Sequence, residues 1–130
     1  MKIKISEAFA LKNFCDKISD EPLPVQIAYK FAKLSINLTN EVVFYQKQYT
    51  KYLEEYALRN EDGFAFTKQG NIKIIPGKEE ECKEKMEELD SMEIEIPDFS
   101  FYLGELKNIK ISISDMKILT PFIKEPLRGE

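Results

Sequence analysis

Histidine is absent from this chain of 130 residues. That absence removes most zinc sites, histidine general bases and Cys-His nucleophile pairs. Cysteine is scarce: Cys15 and Cys82 have no CxxC neighbour and fall at apolar positions of candidate helices. They read as small buried hydrophobes, with a disulfide between them left open by the sequence. No GxSxG, HExxH or GxGxxG pattern occurs, and Pro76-Gly77-Lys78 lacks the glycines of a phosphate loop. The expectation is therefore a chain without catalytic residues, cofactor or metal. A basic excess is also missing, since the net charge is −4, which argues against a nucleic-acid partner. No apolar window is long enough to span a membrane, and residues 1–6 lack the apolar stretch of a secretory leader. The expected location is a reducing cytoplasm, and Asn37-Leu38-Thr39 then reads as a chance glycosylation sequon inside a helix.

What is present is an ordinary globular balance, 43% apolar and 32% charged, which fits one folded domain over residues 1–130. Lysine outnumbers arginine 17 to 2, the usage of a gene of low GC content. Lys2-Ile-Lys-Ile5 alternates as a short half-buried strand. Ser6 then reads as an N-cap for a first helix over about 7–18, with Glu7 in its first turn.

Between Pro24 and Asn60 there is neither proline nor glycine. Ala28, Phe31, Ser35, Leu38, Val42, Tyr45, Tyr49, Tyr52 and Tyr56 recur at alternating spacings of three and four. That heptad seam predicts one long helix over about 23–60, entered through Pro24. Residues 64–75 predict a β-hairpin turning at Gly70-Asn71. A shorter helix follows over about 78–91, with Cys82, Met86 and Leu89 on one face. Alternation predicts strands at 92–96, 99–103 and 109–113, and Ser114-Asp115 predicts the cap of a last helix over 116–119. Residues 126–130 read as a frayed tail. The fold class is α+β: the long helix, the shorter antiparallel helix, the hairpin, and a small sheet from 2–5, 92–96 and 109–113.

Length adds a constraint on shape. A helix of about 37 residues spans about 55 Å, whereas a compact chain of this size is about 36 Å across. The expectation is a helical arm over about 40–90 on an α+β base. Tyr45, Tyr49, Tyr52 and Tyr56 are its candidate interface, since tyrosine combines a large apolar body with a polar tip. The alternative is that the same rings pack on Cys82, Met86 and Leu89. Tyrosines interleaved with Lys47 and Lys51 could stack bases, but helical geometry sends them to different faces. Glu80, Glu84, Glu87 and Glu88 share a helix face, which without histidine or a second acidic segment is a solvated surface.

Several of these segments together resemble a known group. They are Pro24-Val-Gln-Ile-Ala-Tyr29-Lys30 leading into the long helix, Glu61-Asp62-Gly63 after it, the Glu-rich helix, and Glu93-Ile-Glu-Ile-Pro97. The chain is similar in this order of parts to short, largely uncharacterised phage and prophage proteins of low-GC Gram-positive bacteria. The resemblance implies a phage origin, with the host cytoplasm as the place of action, and brings no catalytic residue. The function expected is a non-catalytic accessory protein acting through protein contact, such as an inhibitor of a host defence system. The alternative is a virion-assembly protein that forms homo-oligomers through the long helix. The expected partner is a host or phage protein, or a second copy of this chain.

Overall fold

The computed structural model describes residues 1–124, so the tail expected at 126–130 lies outside the described residues. Strand β1 (Lys2–Lys4) leads directly into helix α1 (Ile5–Lys17), and helix α2 (Val25–Tyr56) follows. Two short strands, β2 (Arg59–Asn60) and β3 (Gly63–Phe64), come next, then helix α3 (Glu79–Asp90) and strand β4 (Glu93–Glu95). Helix α4 (Ile113–Leu119) and a 3-10 turn over Thr120–Phe122 finish the described chain. The class is α+β: a long helix packed against α1, with small two-stranded antiparallel sheets.

Alternation at the N-terminus has a direct outcome. β1 pairs antiparallel with β4, Ile3 opposite Ile94, and both isoleucines are buried. The outward neighbours meet as Lys2 opposite Glu95 and Lys4 opposite Glu93, opposite charges that favour this register. α1 starts two residues before the expected helix. Lys4 is the N-cap, and the Glu7 carboxylate accepts from the Lys4 backbone N–H at 3.0 Å, so Ser6 is already helical.

The main core joins α1, the first half of α2 and the segments before and after α4. Leu11, Leu38 and Leu119 are fully buried there. Phe14, Phe31, Phe99, Phe101 and Phe122 form a connected ring cluster, with centroids 5.2–6.0 Å apart. On α2 the buried residues are Ile27, Phe31, Leu34 and Leu38, whereas Ala28 and Ser35 are half-buried. The seam therefore lies slightly to one side of the heptad drawn through Ala28 and Ser35. The bulkier Ile27 and Leu34 bury more apolar surface and set the rotation of the helix.

The far end of α2 has its own buried group: Val42, Tyr56, Ala57, Ala65, Cys82 and Leu89. α2 ends at Tyr56, four residues before the expected stop. The chain after it is drawn into backbone pairing, with Leu58 N–H donating to Lys73 O and Ile75 N–H to Tyr56 O. The hairpin expected at 64–75 turns at Gly70, which takes φ +87°, and is fastened by Phe66 opposite Ile72. The paired segment at 57–60 adds a third edge, with Ala65 N–H donating to Leu58 O.

Two expected strands are corrected. Residues 109–113 do not join the sheet. The Ser112 hydroxyl accepts from Asp115 N–H at 3.1 Å and caps α4, which pulls Ile113 into the first helical turn and leaves it 79% exposed. A local cap thus outcompetes an alternation that has no free strand beside it. The last helix consequently starts at Ile113 and not after Ser114-Asp115. Residues 99–103 are extended only in part: Phe101 makes one parallel bridge to Ile123, and a 3-10 turn begins at Leu103. Ser112→Ala should cost about 1 kcal/mol of stability, read as a lower urea midpoint at unchanged slope. An unchanged midpoint would mean that the Ser112 cap contributes nothing to stability.

Candidate functional site

The four seam tyrosines are separated by their surroundings. Tyr56 is buried at the foot of the β segments. Tyr45 is half-buried, and its hydroxyl donates to Asp90 Oδ1 at 2.6 Å, tying α2 to the end of α3. Its ring lies 5.0 Å from Phe9 and 6.2 Å from Tyr49, centroid to centroid. Burial, then the bond to the Asp90 carboxylate, pushes the Tyr45 hydroxyl well above the usual tyrosine range. Tyr52 is half-buried, and Tyr49 is 42% exposed beside a shallow depression with Phe9, Gln46 and Thr50. The heptad therefore brings Tyr45 and Tyr49 together, while Tyr56 belongs to the interior.

Both cysteines are buried free thiols, so no bridge links α1 to α3. Burial pushes the Cys15 thiol up to about 12 and raises Cys82 as well. Neither is a nucleophile at neutral pH. Among the described residues, no group of three or more cysteine, aspartate or glutamate side chains could hold a metal ion. No helix among them is long and apolar enough to cross a membrane.

The opposite side of α2 carries a second apolar row, outside the tyrosine seam. Val25, Tyr29, Ile36 and Val43 are exposed, Val25 by 84% and Ile36 by 75%. Tyr29, Ile36 and Val43 recur every seventh residue and lie within about 40° of one another around the axis. Ala32 falls between them. Ile36 points roughly opposite Leu38, which is fully buried. Polar groups bordering this row are partly satisfied within the helix: Thr39 Oγ1 donates to Ser35 O and Asn37 Nδ2 to Lys33 O.

Charge is divided between the helices. α2 carries Lys30, Lys33, Lys47 and Lys51, and Glu41 is its single carboxylate before Glu54. α3 carries Glu79, Glu80, Glu81, Glu84, Glu87 and Glu88. Next to the apolar row, a cleft of about 290 Å³ opens between Tyr29, Lys33 and Asn37 on α2 and Asp98 to Ser100 on the opposite segment. Lys30 reaches across it to Ser100 O at 3.3 Å.

Comparison with protein-family models, with curated proteins and with solved structures finds no match to this chain.

Proposed function

We propose that this chain is a non-catalytic phage or prophage accessory protein that acts through protein–protein contact, as an inhibitor of a host defence system. One observation carries the reading. A single helix has two apolar faces, and among the described residues only one is covered. A soluble chain that keeps a long apolar row in water has an interaction surface in the ordinary case. The buried thiols and the absence of histidine leave little to run a reaction with.

The test is infection of a low-GC Gram-positive host that carries a defence system, with and without expression of the chain. Restricted phage should plate as on a host lacking the system. Unchanged plating across a panel of defence systems would overturn the inhibitor role. Light scattering after size exclusion separates the alternative, because a large defined oligomer would favour virion assembly.

A further inference from the structure

We infer that the outward face of α2 docks an acidic amphipathic helix of a partner protein. The inference rests on the reading of action through protein contact and names the chemistry of the contact.

Spacing points to a helix as the occupant. Tyr29, Ile36 and Val43 form a seven-residue repeat. Such a row follows another helix laid alongside it, not an extended strand, whose side chains repeat every second residue. From Val25 to Val43 the row runs about 27 Å, or roughly five helical turns of a partner. The surface is also inexpensive to dry, since the Thr39 hydroxyl and the Asn37 amide each already donate to their own helix backbone.

Charge selects among possible occupants. Lys33 and Lys51 flank the row on one side and Lys47 continues the line of Tyr29 past Val43, while the other flank carries the neutral Ala28, Ser35 and Thr39. The ion pairs among the described residues lie elsewhere, at Met1, Lys12, Lys17 and Lys78. Glutamates along one edge of an incoming helix would therefore meet lysines that form none of these pairs. A second copy of this chain fits less well. Pairing two α2 faces sets lysines and neutral residues against each other, and α2 itself places no carboxylate on either flank. A nucleic acid fits less well again, because a phosphate backbone has nothing to bury Ile36 and Val43 against, and the chain as a whole is acidic.

The experiment uses the full chain and three fluorescein-labelled probes in anisotropy titrations. The first is a synthetic peptide about three heptads long, with leucine at a and d and glutamate at e and g. The second has lysine in place of each glutamate, and the third is oligothymidylate. The glutamate peptide should bind at least about tenfold tighter than the lysine peptide. Its affinity should fall as salt rises. Ile36→Asp should weaken it about tenfold or more, and Lys33→Glu with Lys47→Glu should reverse the preference between the two peptides. Circular dichroism checks that both variants keep the helix content of the wild type. The proposal is overturned by equal binding of the two peptides, by an unaffected Ile36→Asp variant, by oligothymidylate binding tighter than the glutamate peptide, or by a dimer that Ile36→Asp dissolves. Plating with the Ile36→Asp variant separates the two readings. If that variant protects phage as well as the wild type, contact-based inhibition stands and this face is not its site.

Discussion

Leu38→Ala should destabilise the chain by about 2–5 kcal/mol, while Ile36→Ala on the same helix should stay within about 0.5 kcal/mol of the wild type. Leu38 is fully buried in the main cluster, so shortening it loses transfer free energy and leaves a hole that the neighbouring rings fill only in part. Ile36 is 75% exposed and has little packing to lose. Alanine there also favours the helix slightly, because isoleucine gives up side-chain freedom in a helix. Urea unfolding of the two variants checks the rotation of α2 directly. Equal losses at the two positions would mean that the helix presents a different face to the core. A Leu38→Ala loss alone would establish Ile36 as spare surface, which the docking inference requires.

Alkaline pH should unfold the chain more readily than neutral pH, starting from about pH 9. Cys15 has its folded value raised from 9.0 to about 12, chiefly by burial, and Cys82 is raised in the same direction. Tyr45 and Tyr56 are raised from 10.0, again chiefly by burial. In each case the folded chain holds a proton that the unfolded chain releases. Below about pH 9 both states are protonated and the stability is complete. As pH rises toward the folded values, the unfolded state binds fewer protons and gains relative to the folded one. At pH 11 the Cys15 proton alone corresponds to a loss on the order of 3 kcal/mol. The urea midpoint of the wild type should fall steadily between pH 9 and 11. Cys15→Ala should start lower but fall less steeply, and Tyr45→Phe should flatten the part above pH 10. Parallel profiles for all three proteins would place these side chains in water.

Much of this was legible in residues 24–56, where an unbroken period, free of proline and glycine, leaves a helix as the one regular solution. The pairing of residues 2–4 with 93–95 was legible too, because both alternate and carry opposite charges on their outward sides. The strand expected at 109–113 was not, since its isoleucines alternate as a strand would while Ser112 caps a helix in the middle of them. Nor was the end of α2. Nothing local stops a helix at Tyr56, and the stop comes from backbone pairing with Lys73 and Ile75, which are remote in sequence. The outward row was written in the sequence at Tyr29, Ile36 and Val43. It was masked by the denser seam on the other side, whose more numerous apolar residues dominate the period of the helix.

The β1–β4 pair has a consequence for the order of events during synthesis. Ile3 must find Ile94, 91 positions further along the chain. α1 can form and lean on α2 early, but the edge that anchors it is missing until residues 93–95 have left the ribosome. Bringing such distant segments together carries a loop-closure cost before any contact rewards it. The base of the nascent chain therefore stays open on this flank until residues 93–95 are free to pair.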